Sequence, residues 1–212
     1  MLENKLTDVS SHFEFGKNWA EYSSKIDENK IKFAHEEMVR LLGTDDLTNK
    51  TFLDIGCGSG IHSLVAQKMG AKVLATDIDE NSVKTTKNII EKYGDKSSFS
   101  CEVKSVFDFN PIKDGTFDIV YSWGVLHHTG NMKKGFEKAS SLVKENGLLA
   151  IAVYRKTPLC VLWKVEKKIY SKSPAIIQKL IALIYKIFFV LGLFATKRNP
   201  KKYIENYFTK TF

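Results

Sequence analysis

The 212-residue sequence predicts an α/β fold: an open sheet of mainly parallel strands with helices on both faces, continued by a C-terminal helical extension. Three observations lead there. Between Thr51 and Tyr154, short runs rich in Val, Ile, Leu and Phe alternate with helical patterns, and each run ends in turn or polar residues. Strands separated by helices of about ten to fifteen residues imply crossover connections, hence parallel pairing with both faces covered. After Tyr154 the alternation stops and long, apolar, lysine-marked segments take over.

Taken in order, residues 1–47 read as a helical lead-in. The opening stretch, MLENKLTDVSSHFEFG, alternates polar and apolar residues without an unbroken hydrophobic region, so it is not expected to be a signal peptide. DENKIKFAHEEMVRLLG carries Ile31, Ala34, Met38, Leu41 and Leu42 on one helical stripe behind an acidic start, which suits packing on the sheet. Residues 48–155 form the α/β core. Its strands are TFLDIG, AKVLATD, FSCEVKS, FDIVYSW and LLAIAVY, with Tyr154 closing the fifth. Between them, IHSLVAQKMG and ENSVKTTKNIIEKYG read as helices closed by Gly70 and Gly94, residues suited to left-handed caps. Residues 156–212 form the extension. PLCVLWKVEKKIY is one helix and SPAIIQKLIALIYKIFFVLGLF another, with Ser173 as N-cap and Pro174 in the first turn.

Composition sets outer limits. Apolar content of 43% with 26% charged residues is that of a globular protein, not a disordered one. Three scattered cysteines, Cys57, Cys101 and Cys160, make neither a disulfide framework nor a zinc cluster, which points to a reducing, cytoplasmic setting. The net charge of +8 is unevenly placed: residues 155–212 hold 13 basic and 2 acidic residues, whereas 1–154 hold 19 and 22. Such asymmetry calls for an anionic partner of the extension, a membrane surface or a nucleic acid.

The chemistry is concentrated in LDIGCGSG, residues 53–60, where a strand runs into three glycines and then a helix. Glycines there permit positive φ and bring bare backbone close to a ligand at the carboxyl edge of the sheet. A nicotinamide loop wants G-x-G-x-x-G; here Asp54 precedes the more closely spaced Gly56, Gly58 and Gly60. A carboxylate is a poor neighbour for a pyrophosphate and a good one for an ammonium, so S-adenosyl-L-methionine suits the loop better. A tight strand-to-helix turn without a ligand is the plain alternative. Asp77 ends the second strand, placed to accept both hydroxyls of a ribose; the helix-capping duty nearby fits Asp79 better.

FLDIGCGSGIHSL, VLATDIDENSV, FDIVYSWGVLHHTGN and LVKENGLLAIAVY, in that order over roughly residues 48–155, resemble the class I S-adenosylmethionine-dependent methyltransferases, and among them the ubiquinone-biosynthesis type. FEFGKNWAEYSS resembles the aromatic lead-in that many members fold over the cofactor. The resemblance implies a Rossmann-like sheet and a set of cofactor residues. Gly56, Gly58 and Gly60 would line the methionine part, Asp54 would hold its ammonium directly or through water, Asp77 would grip the ribose and Ile78 would pack on adenine. Where the family places an acid for the adenine amino group, this chain has Val106. That duty would pass to backbone near Val106 and Phe107, or to Asp108. Ser122 and Trp123 would border the sulfonium, where an aromatic face favours a cation. The family's usual last two strands have no convincing counterpart after residue 155, YFTKTF being the nearest, so the sheet is expected to lack them.

Methyl transfer needs alignment and, for a hydroxyl or protonated amine, a base. His127 and His128 follow the fourth strand at the rim where an acceptor arrives, with His128 the preferred catalytic candidate; a turn-capping or packing role is the bland alternative. Tyr154 is a candidate substrate contact. His12, His35 and His62 read as structural, and no cluster has metal-ligand spacing. In the extension, Lys172, Lys179 and Lys186 recur every seven residues on one helical face, surrounded by aliphatic and aromatic residues. Peripheral membrane contact through 172–198, an active-site lid and plain packing on a neighbour or second subunit are all open. The expected function is methyl transfer to a small, apolar acceptor. A truncated, non-catalytic cofactor-binding or membrane-associated module is the alternative, and RNA methylation ranks lower because lysines alternate with aliphatics, not with stacking aromatics.

Overall fold

Strands β1 (Thr51–Ile55), β2 (Lys72–Asp77), β3 (Phe99–Val103), β4 (Phe117–Trp123) and β5 (Val143–Ala152) form one sheet in the order β3-β2-β1-β4-β5. Every pair in it is parallel. The structure, a computed structural model, describes residues 15–155, 157, 160–201 and 203. These separate into two compact units, Met1–Tyr154 and Arg155–Phe212.

In the first unit α1 (Phe15–Ser23) and α2 (Glu28–Leu42) precede the sheet, and α3 (Ile61–Lys68), α4 (Glu80–Tyr93), the short α5 (Pro111–Asp114) and α6 (Met132–Ser141) connect its strands. Strand residues alternate between two cores, as a pleat with both faces covered requires. Phe52, Val73, Ile119 and Tyr121 join Ile31, Ala34 and Met38 of α2 and Leu64 and Val65 of α3 on one face. Leu53, Ile55 and Val120 join Val106, Phe109, Leu126, Ala139 and Leu142 on the other. The α2 stripe is as the periodicity predicts except at its end, where Leu41 is exposed. At the amino edge of the sheet Asp118 Oδ2 accepts hydrogen bonds from the Thr51 amide at 2.8 Å, the Thr51 hydroxyl at 2.7 Å and Lys144 Nζ at 2.8 Å, tying β1, β4 and β5 together. These donors hold the Asp118 carboxyl far below the ordinary carboxylate range.

The open parallel sheet is as expected, with all five strands parallel. Two expectations need correction. Gly94 closes α4 in an extended conformation (φ −114°, ψ −164°), its N–H bonded to Ile90 O, so it needs no left-handed residue. And β5 begins at Val143 and ends at Ala152, leaving Tyr154 two residues past the strand. Its polar start is accommodated because pairing with β4 skips from Phe117–Val143 to Ile119–Leu148, with Asn146 at φ 63°. Among the described residues no strand follows β5; the YFTKTF stretch lies outside them.

The second unit is a helical hairpin of α7 (Cys160–Lys172) and α8 (Ala175–Ala195). The two-residue link reverses the chain: Trp163 near the start of α7 meets Tyr185 well along α8, ring centroids 6.3 Å apart. Gln178 Nε2 donates to Tyr170 O and Ser173 O, both at 3.0 Å. Ser173 is not the N-cap expected of it; that position is Pro174, and the Ser173 hydroxyl donates back to Ile169 O at 2.7 Å.

Candidate functional site

Parallel order places the carboxyl ends of β1, β2 and β4 side by side, and the segment linking β1 to α3 crosses there. Gly56, Gly58 and Gly60 take φ of 80°, 53° and 80°. Each glycine is also required by a close neighbour: a Cβ on Gly56 would lie 2.4 Å from Val125 Cγ2, on Gly58 2.9 Å from Trp19 Cε2, and on Gly60 2.8 Å from the Thr86 backbone of α4. The loop is anchored on β2, with Gly56 N and Cys57 N both donating to Thr76 O at 2.7 and 3.0 Å. Gly60 caps α3 without any side-chain hydrogen bond, which leaves the first amides of that helix for a ligand carboxylate. Cys57 is buried beside Thr86, sulfur to hydroxyl 3.2 Å.

Two carboxylates frame this loop. Asp54 is 2% exposed and accepts a 2.6 Å hydrogen bond from the Ser63 hydroxyl on α3. Burial pushes its carboxyl up to about 7, against the pull of Ser63 and with a further push from the charge of Asp77. Asp77 accepts from Gly58 N at 3.1 Å through Oδ2 and from Asp79 N at 3.0 Å through Oδ1. Burial raises its carboxyl, and the amides of Asp79, Gly58 and Ile78 oppose the rise. Asp79 is the α4 N-cap, accepting from Asn81 N at 2.8 Å, so Asp77 has no capping duty.

The remaining sequence candidates fall into different environments. Ile78 is half-buried just beyond β2. Val106 is 4% exposed with its side chain in the core beneath β1 and β4, and Phe107 packs against the same cluster, so this turn can offer a ligand its backbone but not the Val106 side chain. Asp108 closes a capping box with Ser105. Ser122 is fully buried and its hydroxyl donates to Ile55 O at 3.1 Å, a link between β4 and β1. Trp123 is half-exposed and stacked on Tyr121, ring centroids 5.7 Å apart and 6° between planes. His127 has both ring nitrogens buried without a hydrogen-bond partner, its ring 4.0 Å from His128 and 4.7 Å from Tyr154. Burial and the neighbouring His128 hold His127 below the ordinary imidazole range. His128 is exposed on the same turn, and Tyr154 is 74% exposed. His62 packs against Tyr121, ring centroids 5.3 Å apart and tilted by 49°, and is depressed to about 4 by burial; His35 is half-buried; His12 lies outside the described residues. Among the described residues no three His, Cys, Asp or Glu side chains gather as a metal site.

Ser63, Trp19, Val125 and Thr86 were not singled out by sequence. Ser63 sits one turn into α3, where a hydroxyl after a glycine loop is the only signal available. Trp19 had a wider signal, the aromatic lead-in, but nothing in the sequence names Gly58 as its partner.

With this geometry in view, the likeness to known proteins is informative. A family described as a methyltransferase domain matches residues 53–151, from β1 to β5. The ubiquinone biosynthesis O-methyltransferase of Xanthomonas oryzae pv. oryzae is 30% identical over 115 residues, 53% of this chain and 46% of that protein. The ribosomal protein L11 methyltransferase of Tolumonas auensis is 30% identical over 131 residues, 61% of this chain and 42% of that protein. This chain therefore spans about half the length of the curated relatives it matches. Magnesium protoporphyrin IX methyltransferase of Synechocystis PCC 6803, solved with bound S-adenosylhomocysteine, shares the fold at a TM-score of 0.53 and 23% identity, covering 66% of this chain and 63% of that one. Residues 53–151, a little under half of the chain, are thus similar to a methyltransferase domain, and the sheet has the fold of a methyltransferase of known structure.

Proposed function

We propose that the protein transfers a methyl group from S-adenosylmethionine to a small, apolar acceptor. The observation that carries this reading is the pair Asp54 and Asp77 at the carboxyl ends of adjacent strands, one beneath and one bonded to a loop whose glycines all have positive φ.

The residues present fit the donor. Ionised Asp54 would hold the ammonium, directly or through water, and the uncapped first turn of α3 would take the carboxylate. Asp77 would exchange its bond to Gly58 for the ribose hydroxyls, with Ile78 and the backbone at Val106 and Phe107 around the adenine. Trp19 and Val125 lie against Gly58 and Gly56, so each closes one side of the cradle and shifts as the ligand enters. Ser122 contributes its backbone at the strand end, and Trp123 an aromatic face. When bound, the cofactor supplies a methyl carbon made electrophilic by its sulfonium. His128, on the exposed side of its turn, would take the proton of the acceptor. His127, held neutral by burial, would position the His128 and Tyr154 rings beside it.

Calorimetric titration with S-adenosylmethionine tests the reading: micromolar binding to the wild type that falls at least tenfold in Asp77→Ala is expected, and a folded protein that fails to bind overturns it. A non-catalytic cofactor-binding module remains the second reading, favoured by the cover that Trp19 and Val125 place on the glycines. Release of S-adenosylhomocysteine in a screen of acceptors separates the two. The same proposal includes a cytoplasmic location and a peripheral membrane contact through residues 172–198, and no nucleic-acid partner. Its support is the basic, apolar composition of that segment.

A further inference from the structure

We propose that the α7–α8 unit is a membrane foot in which α8 lies flat along an anionic leaflet and does not cross it. This rests on the membrane contact put forward above and not on the methyl-transfer chemistry.

At about 100° per residue, Ile176, Leu180, Leu183, Ile187, Leu191 and Phe194 share an arc of about 80° on α8. Their exposures run from 50% to 81%, so this stripe has the spacing of a buried helix face and, among the described residues, no cover. The opposite side of the helix is the one used internally, where Gln178 and Tyr185 meet α7 and Phe189 meets Tyr203. Lys179 and Lys186 fall between the two, beside the open stripe. Stems lying along apolar surface with ammonium ends at the level of phosphates is what an in-plane helix needs of flanking lysines.

Charge selects the occupant. From residue 160 to 201 there are nine Lys and Arg and one acid, Glu166. A second copy of the chain would bring the same excess of positive charge, whereas an anionic leaflet complements it. Crossing is disfavoured by position. The 21 residues of α8 would extend about 31 Å, close to the thickness of a hydrocarbon core, but Lys186 is the twelfth of them and would sit at mid-depth, the costliest place for an ammonium.

The test sediments the full chain with vesicles of phosphatidylcholine alone and of phosphatidylcholine with phosphatidylglycerol at about 3:1. Binding to the mixed vesicles at least tenfold tighter than to neutral ones, weakened by salt, is expected. Lys179→Glu with Lys186→Glu should weaken it about tenfold or more, and Leu180→Asp with Ile187→Asp should abolish it, with helix content by circular dichroism retained in both. An alkaline wash should release the wild type. Equal binding to both vesicle types, resistance to the wash, preference for RNA, or self-association lost in the Leu180→Asp, Ile187→Asp variant each overturn the proposal. S-adenosylmethionine titration of the same preparations keeps the two readings apart: intact cofactor binding without vesicle binding removes the foot alone, and the reverse removes the transferase reading alone.

Discussion

Asp54 is the residue on which charge and position conflict most sharply. A carboxyl held near 7 is only half ionised at neutral pH, yet an ammonium ligand needs the ionised form. Linkage gives two signs. In the free protein the folded state holds a proton on Asp54 more tightly than the unfolded chain, whose carboxyl titrates near ~3.9. Its contribution to stability is therefore fully present below that value, is lost as pH rises toward about 7, and is flat above. Cofactor binding runs the other way: affinity should rise with pH, by up to about tenfold per unit below pH ~7, and then level off. Titrations across this range with wild type and Asp54→Asn should show a slope in the first and a weak, flat response in the second. A wild-type affinity independent of pH would place the ammonium elsewhere. Because the Ser63 hydrogen bond is what pulls Asp54 down, Ser63→Ala should move the rise to higher pH.

At the scale of elements, the question is how two helices and three strand ends are brought close enough to make one loop. Gly60 shows the constraint best, since it needs both a left-handed backbone and the missing Cβ, with α4 passing at the Thr86 backbone. Gly60→Ala should cost about 2–4 kcal/mol, strain plus overpacking. Gly43→Ala is the matched control. It has a similar left-handed backbone, φ 73° and ψ 13° against 80° and 1°, with nothing within 4 Å, so it should carry the backbone strain alone, about 1 kcal/mol. Thermal melts read the difference as a drop of roughly 5–15 °C against 2–4 °C. Equal drops would mean that the α3–α4 approach is soft. This scale also explains what the sequence could tell. Local signals were legible because they are local: the alternation of strands and helices, the glycine run, the acid ending β2 and the cap at Asp79. The start of β5 was not, because its polar residues enter the sheet only through the skipped register opposite β4. The contact of Trp19 with Gly58, the bond from Ser63 to Asp54 and the bond from Ser122 to Ile55 O were hidden for a different reason. Each depends on how elements approach in space, which residue spacing does not encode.

The molecule as a whole is unevenly secured, and that difference can be measured. Among the described residues β1, β2 and β4 are paired on both sides, whereas β3 and β5 are paired on one. Leu148 in β5 is 42% exposed, and Val153 just beyond it 48%, so this side of the sheet is short of cover as well as of partners. In the second unit α8 has backbone hydrogen bonds throughout but few buried side chains, Leu193 alone being buried among those described. Opening such a helix exposes little new apolar surface, so its opening free energy should be small, whereas opening β1 requires dismantling both cores. Hydrogen exchange followed by mass spectrometry in plain buffer should therefore rank peptides in a fixed order. Those from Thr51–Ile55 and Phe117–Trp123 should be slowest, Val143–Ala152 intermediate, and Ala175–Ala195 faster than the first group by about 10²–10⁴. Protection of α8 equal to that of β1 in buffer would mean that its apolar stripe is already covered by protein, and the physical reason for seeking a lipid surface would disappear with it.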